Sequence, residues 1–297
     1  MTRLQTVVRR AVTALAVTAM VTGAAAGAAA QEDKGPNTGL VSVTAGMDWT
    51  TAYFFRGILQ EDSGLILQPY GEIGFTLFEG TPQLGNVALT IGLWNSLHEG
   101  PTGTGGATSD PRVWYEADFY TKVGWSFAEH FNAAILYTAY MSPNSSFSTV
   151  EELALSLGFD DSSFLGPFSV QPSVLLAWEV AGQADGGDHR GIYLQLGLTP
   201  SYTFAEKSRY PVTLSLPLLV GLSLDDYYEF GTGDDDTFGY FQGGVSASVP
   251  LAFIPAAYGA WSVRGAVTVL VLGDNLRAVN NDDRTQVIGT LGVAFSY

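Results

Sequence analysis

The sequence predicts an all-β protein, namely a transmembrane, antiparallel, up-and-down β-barrel of about 12 strands with both termini on the periplasmic side. Three observations predict this fold. Apolar and polar residues alternate with the period of two that is typical of strands. Short and long connections alternate between these segments, and the long connections are rich in Gly and Asp. Beyond residue 30, no apolar run reaches the ~18 residues that a transmembrane helix requires.

Four segments alternate most clearly, and parity assigns each of their residues to one of two faces. Eight further segments alternate less regularly. The twelve predicted strands are 41–55, 67–78, 87–96, 113–127, 132–141, 151–159, 168–180, 191–204, 212–224, 238–249, 261–272 and 286–297. Pro172, Pro200 and Pro217 fall inside three of them. Because proline has no N–H to donate to a sheet, we expect bulges at these positions.

The first thirty residues have the composition of an export signal peptide. Three arginines within residues 1–10 precede an apolar stretch over 11–21, and the small residues 28–30 suit cleavage before Gln31. An uncleaved membrane anchor is the alternative, but the segment is rich in Ala and Thr and ends in small residues. The predicted organisation is therefore a signal peptide over 1–30, a short periplasmic segment over 31–40, and a single barrel domain over 41–297.

A secreted, soluble β-sandwich also alternates with period two, so it is the alternative fold. Two features oppose it. The segments are roughly ten to fourteen residues long, which suits a tilted crossing of a ~30 Å hydrocarbon layer better than the usual strand of about five or six residues. Their polar faces consist largely of Gly, Ser, Thr and Ala rather than of the Lys and Glu that keep a soluble sheet in solution.

The charge composition excludes several classes of function. The 297 residues include 13 Lys and Arg against 29 Asp and Glu, for a net charge of -16. Such a chain lacks the clustered cations that bind nucleic-acid phosphates. The sequence contains no cysteine, which excludes disulfides, thiolate metal sites, cysteine catalysis and a cysteine-linked lipid anchor. Charged residues make up only 14% of the chain, compared with about 25% in a typical soluble protein.

Two stretches resemble known signatures of bacterial outer-membrane proteins. The chain ends Leu-Gly-Val-Ala-Phe-Ser-Tyr over 291–297. This ending resembles the C-terminal strand that the barrel-assembly machinery recognises, although phenylalanine is commoner than tyrosine at the last place. Residues 53–60, Tyr-Phe-Phe-Arg-Gly-Ile-Leu-Gln, and residues 92–96, Gly-Leu-Trp-Asn-Ser, resemble the Tyr-x-Phe-Arg-Gly-x-x-Gln and Gly-x-Trp-x-Ser motifs of the TorF-type porin family. The resemblance implies a Gram-negative outer-membrane barrel that acts as a channel for largely undefined solutes.

The first of these motifs falls at the end of the first predicted strand. Its residues are Tyr53, Phe55, Arg56, Gly57 and Gln60. We expect the aromatic residues here to join a girdle at the membrane interface. Arg56 and Gly57 mark either a turn in which the arginine pairs with an acidic neighbour or an arginine directed into a pore mouth, and the turn is the favoured interpretation. Other expected girdle residues are Trp49, Trp125, Trp178 and Tyr297.

Parity also predicts which charged side chains face the barrel interior, although a slip of one residue would reverse any assignment. The predicted lumen residues are Asp48, Glu72, Glu116, Asp118, Glu152, Glu179, Lys122 and Arg264. Charges inside a barrel must face water or one another. An excess of acidic over basic groups would favour cations if the interior conducts. A plugged interior, in which these groups form salt bridges that hold the wall, is the alternative.

The sequence therefore predicts a passive, cation-leaning channel for small solutes, embedded among outer-membrane lipid and lipopolysaccharide. A non-conducting structural or adhesive barrel is the second hypothesis. An outer-membrane hydrolase is the third, but none of the three histidines lies in the His-x-Ser run of twelve-stranded phospholipases, and the pair Asp188–His189 only weakly resembles the Asp/His groups of barrel proteases. We predict no catalytic residue, cofactor or metal, because the acidic loops over 225–236 and 274–283 lack the spacing of a calcium-binding loop.

Overall fold

The computed structural model describes residues 37, 39–81, 83–230 and 234–297. The predicted signal peptide and most of the segment 31–40 lie outside these residues. The strands are β1 Val41–Thr50, β2 Tyr53–Phe55, β3 Ile58–Glu61, β4 Ile66–Phe78, β5 Leu84–His98, β6 Trp114–Phe127, β7 Phe131–Met141, β8 Val150–Phe159, β9 Ser173–Ala181, β10 Ile192–Leu198, β11 Ser201–Phe204, β12 Val212–Ser215, β13 Leu218–Asp225, β14 Phe238–Pro250, β15 Ala260–Leu272 and β16 Thr285–Ser296. Two short α-helices, α1 Ser162–Leu165 and α2 Asp274–Val279, lie in connections.

Neighbouring strands pair antiparallel around a closed wall. The sheet runs from β4 through β16, and β1 closes it by pairing with both β4 and β16. At this seam the backbone N–H of Tyr297 donates to the Val43 carbonyl at 2.8 Å, and the N–H of Val43 donates to the Tyr297 carbonyl at 2.7 Å. The wall has 12 crossings, because β10 with β11 and β12 with β13 each form one interrupted strand. The predicted antiparallel barrel is confirmed.

Prolines interrupt the wall where the sequence predicts bulges. Pro200 separates β10 from β11, Pro217 separates β12 from β13, and β9 begins directly after Pro172. The Leu216 N–H still donates to the Pro200 carbonyl at 2.9 Å, so the two interrupted strands stay paired. The strand predicted over 168–180 therefore starts later than expected, since its first residues form a turn instead.

The connections at one end of the barrel are mostly shorter than those at the other, as predicted, but the connection 160–172 is longer than 142–149 and 182–191 on either side of it. Residues 41 and 297 lie at the same end of the barrel, which we name the terminal end, and the opposite end is the loop end. The terminal end carries the turns 79–83, 128–130, 160–172, 205–211 and 251–259. The loop end carries the connections 51–65, 99–113, 142–149, 182–191, 226–237 and 273–284.

The outer face of the wall is apolar. Outward side chains in the middle of the strands include Ile91, Leu155 and Val267, which are 40%, 44% and 57% exposed. Exposed aromatic residues ring the terminal end, among them Phe164, Phe168, Phe253 and Tyr258. A broad apolar band edged by aromatic residues is typical of a barrel that spans a lipid bilayer. Among the described residues, none of the helices combines the length and apolar character needed to cross a membrane.

The first crossing ends earlier than the sequence predicts. β1 stops at Thr50, and β2 and β3 form a separate two-stranded hairpin. We name residues 53–61 the inner hairpin, because it folds into the loop end of the barrel interior, where Tyr53 and Phe54 are each only 1% exposed. The prediction that these aromatic residues join an interfacial girdle is therefore wrong. They pack in the buried core inside the wall rather than on its lipid-facing side.

Candidate functional site

A tight turn shapes the inner hairpin. Phe55 pairs with Ile58, which leaves Arg56 and Gly57 as a two-residue connection. Both residues have positive φ, 47° for Arg56 and 86° for Gly57, as a type I′ turn requires. The side chain of Asn280 holds this turn from outside, since its amide donates to the Gly57 carbonyl at 2.7 Å and its oxygen accepts from the Leu59 N–H at 2.9 Å.

Arg56 fastens the tip of the inner hairpin to the opposite wall. Its guanidinium donates to both carboxylate oxygens of Glu152 on β8, at 2.6 and 2.7 Å. It also donates to the Tyr227 hydroxyl at 2.7 Å and lies 4.1 Å from the ring centre of Tyr193. The arginine is 5% exposed and Glu152 is 3% exposed. This bidentate, charge-assisted contact holds the tip of the hairpin against β8 at the loop end.

The other face of the inner hairpin meets a pair of carboxyl groups on β6. Tyr53 donates its hydroxyl to Glu116 at 2.8 Å, and Asp118 lies next along the same inward face of the strand. Both acids are buried, and one oxygen of Asp118 has no hydrogen-bond partner. Among the described residues, neither carboxyl group forms a salt bridge. Within the described chain, the two acids therefore face each other and Tyr53 rather than a basic side chain.

A chain of hydrogen bonds ties the base of the hairpin to loop 99–113. Glu61 accepts from the backbone and hydroxyl of Thr102, each at 2.9 Å. The Thr102 hydroxyl also lies 2.8 Å from Nδ1 of His98, whose Nε2 lies 2.7 Å from the Ser96 hydroxyl.

The pair Ser96 and His98 has no distinctive motif in the sequence, although alternate residues of a strand lie on the same side of the wall. Ser96 and His98 are both fully buried, and His98 stacks on Tyr115 with ring centres 4.3 Å apart. A serine nucleophile must reach its substrate, so we assign this network a structural role in holding the hairpin and the loop together.

The terminal half of the interior is more open. Inward positions there are mostly Gly, Ser, Thr and Ala of intermediate exposure on β1, β5, β14, β15 and β16. Arg264 donates from Nε to Asp48 at 3.0 Å, and Glu72 accepts from the Tyr120 hydroxyl at 2.7 Å. Lys122 projects into the same region as Glu72. We name this half the vestibule.

The structure places all the predicted lumen residues inside the wall, but in different surroundings. Glu72, Lys122 and Arg264 lie in the vestibule, whereas Glu116, Asp118 and Glu152 lie in the packed half beside the inner hairpin. Glu179 is also buried, and its carboxylate accepts from the backbone N–H groups of Ala184 and Gly191 at 2.6 and 2.7 Å. Gln60 accepts a hydrogen bond from the Tyr115 hydroxyl.

Two connections at the loop end bring three potential metal ligands together. His189, Asp226 and Glu229 place one ligand atom each within 4.8 Å of one another. Nδ1 of His189 lies 3.0 Å from a Glu229 oxygen, and this hydrogen bond raises the pKa of His189. The contact is an ion pair when the histidine is protonated, which accounts for the cluster without a metal ion.

No protein-family model and no curated protein matches this sequence. Solved structures match it at low identity. The beta domain of the Bordetella autotransporter Brka is 12% identical, with a TM-score of 0.42 over 87% of this chain and 99% of that chain. Outer membrane phospholipase A from Escherichia coli is 12% identical, with a TM-score of 0.41 over 89% and 94%. The outer membrane channel DcaP of Acinetobacter baumannii is 9% identical, with a TM-score of 0.33 over 86% and 96%. These proteins differ in function, so the function of this chain must be inferred from its own residues.

Proposed function

We propose that this protein is an outer-membrane channel for the passive diffusion of small solutes, narrowed at its loop end by the inner hairpin. In this proposal the signal peptide exports the chain, the C-terminal strand engages the barrel-assembly machinery, and outer-membrane lipid and lipopolysaccharide surround the apolar wall. The motif that resembles the TorF-type porins then has a physical role, because Arg56 and Gly57 form the turn that enters the interior.

The vestibule is the observation that best supports a channel function. Its lining combines small polar residues with the charged groups Asp48, Glu72 and Arg264, all of which keep intermediate exposure. Charged groups inside a membrane-spanning wall are stable where they contact water or one another. A half-barrel lined by small polar and charged side chains that ends at a single hairpin is the arrangement expected of a channel with a constriction.

The charge of the interior supports a preference for cations. Asp48 and Glu152 are paired with arginines, and Glu72 is close to Lys122. Glu116, Asp118 and Glu179 remain without a basic partner among the described residues. A surplus of fixed negative charge along a pore attracts cations and repels anions.

Planar-bilayer recording of the refolded protein tests the proposal. The chain lacks cysteine, so the double variant Arg56→Cys/Glu152→Cys allows a cleavable thiol cross-linker to join the inner hairpin to the wall. We expect cation-selective openings from the wild type and from the uncross-linked variant, a lower conductance when the hairpin is cross-linked to the wall, and recovery on cleavage. The pair Asp274→Cys/Arg284→Cys, in an exposed loop, is the matched control and should conduct equally in both states.

A non-conducting structural barrel is the second candidate, and one observation favours it. The side chains around the hairpin form a continuous buried layer, in which Tyr193, Tyr227 and Tyr228 are at most 1% exposed. If the folded protein never conducts, even when 52–64 is replaced by a short Gly-Ser linker, the channel proposal is wrong and this candidate replaces it.

A further inference from the structure

A cavity of about 480 Å³ opens at the loop end, between the inner hairpin and the loops 142–149 and 182–191. Aromatic rings form part of its wall, namely those of Phe55, Tyr140 and Phe147. Phe55 and Tyr140 meet edge to face with ring centres 5.0 Å apart. The charged groups of the vestibule, namely Asp48, Glu72, Lys122 and Arg264, are not among its lining residues.

The charged groups that line this cavity are all acidic. Glu116 is its most buried carboxyl group, at 3% exposure, and Asp185 lies nearer the surface on loop 182–191. Neither lysine nor arginine is among the lining residues. An anionic ligand would therefore have no basic partner here and would face two carboxylates. The lining also includes the amide of Gln60 and the hydroxyl of Ser148.

We propose that this cavity binds a small organic cation bearing alkyl groups, such as a substituted ammonium compound. Aromatic faces attract such cations through the ring quadrupole, and this attraction is strongest where water is excluded. The buried carboxylate of Glu116 supplies the opposite charge, while the rings contact the alkyl groups. The cavity is large enough for a small molecule and too rich in aromatic surface for a metal ion, which needs several oxygen or nitrogen ligands. This site does not depend on conduction, so it goes beyond the proposed channel function.

The surroundings of Glu116 provide a spectroscopic signal for binding. The carboxylate accepts from the Tyr53 hydroxyl at 2.8 Å, and the Tyr53 ring lies 5.4 Å from the ring of Trp94. Trp94 is 3% exposed. A cation that contacts Glu116 changes the field at this tryptophan and hence its fluorescence.

Titration of the folded protein in detergent with choline and with benzyltrimethylammonium tests the inference by isothermal calorimetry and tryptophan fluorescence. The neutral isostere of choline, 3,3-dimethyl-1-butanol, is the ligand control. We expect saturable binding of at least one cation, about tenfold or more weaker binding in Glu116→Gln, and several-fold weaker binding in Phe147→Ala. Asp274→Asn, which removes a carboxylate from a distant exposed loop, should bind as the wild type does.

Glu116→Gln keeps the acceptor for Tyr53 and the size of the side chain, so its folding is checked by circular dichroism and heat-modifiable migration. Equal binding of the neutral isostere, or unchanged binding in folded Glu116→Gln, overturns the inference. Saturable binding of neither cation overturns it as well. A protein that conducts but does not bind leaves the channel proposal intact, and one that binds but does not conduct leaves this inference intact.

Discussion

Arg56 shows how one residue determines the state of the interior. Its guanidinium satisfies both oxygens of Glu152 in a space from which water is largely excluded. A buried ion pair of this kind adds little net stability compared with an apolar pair, yet breaking it is costly because one charge remains buried and unpaired. The pair therefore selects the position of the hairpin more than it stabilises the barrel.

We expect Arg56→Ala to lower the free energy of unfolding by about 3–5 kcal/mol, because Glu152 then lacks its counter-charge. The double variant Arg56→Met/Glu152→Gln should recover much of this loss. Urea unfolding in lipid vesicles, followed by tryptophan fluorescence, measures both. Arg112→Ala is the control, since its side chain is 60% exposed beside an exposed Asp110 and should cost under about 1 kcal/mol. Equal costs for Arg56→Ala and Arg112→Ala would contradict the expected role of burial.

At the scale of the element, the inner hairpin depends on its turn. Gly57 has φ of 86°, and a Cβ atom added there would lie 2.6 Å from Cδ1 of Leu276 on helix α2. Glycine is required here for two reasons: the backbone has a left-handed conformation, and helix α2 packs so closely that there is no room for a Cβ atom.

Gly57→Ala should destabilise the protein by about 2–4 kcal/mol, the sum of roughly 1 kcal/mol for the backbone and about 1–3 kcal/mol for the clash. Gly186→Ala separates the two contributions, because Gly186 also has positive φ, 69°, but nothing lies within 4 Å of the added Cβ. That control should show only the backbone cost in the same urea assay. A cost for Gly57→Ala no greater than for Gly186→Ala would mean that the contact with Leu276 is unimportant.

The wall strands were predictable because period-two alternation is a local property of the chain. The inner hairpin was not predicted, since the apolar run Ala-Tyr-Phe-Phe over 52–55 also suits the end of a strand at a membrane interface and does not show that the pairing partner changes from the wall to β3. The Arg-Gly pair between Phe55 and Ile58 was the available signal, because a glycine in a two-residue connection favours a type I′ hairpin.

Side-chain partners were harder to predict than side-chain direction. Parity placed Glu116 and Glu152 toward the interior, where the structure has them. It could not pair Glu152 with Arg56, because 96 residues separate them and only the closure of the barrel brings them together. For the same reason, the cavity beside Glu116 has no signature in the sequence, since it joins residues from the hairpin and from two distant loops.

For the whole molecule, the apolar exterior separates a membrane barrel from a soluble one. Val267 lies at the middle of β15, is 57% exposed, and pairs across the sheet with Val245, which is 51% exposed. Val41 is 46% exposed but lies at the start of β1, at the rim of the terminal end. The two valines therefore present similar surface at different depths of the wall.

We expect Val267→Arg to lower the free energy of unfolding in lipid vesicles by about 2–4 kcal/mol, and Val41→Arg by about 0–1 kcal/mol, because the cost of a lipid-facing charge falls from the bilayer midplane to its interface. Urea titration of the vesicle-inserted protein, followed by tryptophan fluorescence, measures both variants against the wild type. On a soluble barrel both arginines would face water, and neither would cost more than a few tenths of a kcal/mol. A depth-dependent cost therefore supports a membrane-spanning wall, whereas equal and small costs would refute the membrane-spanning wall and with it the proposed channel.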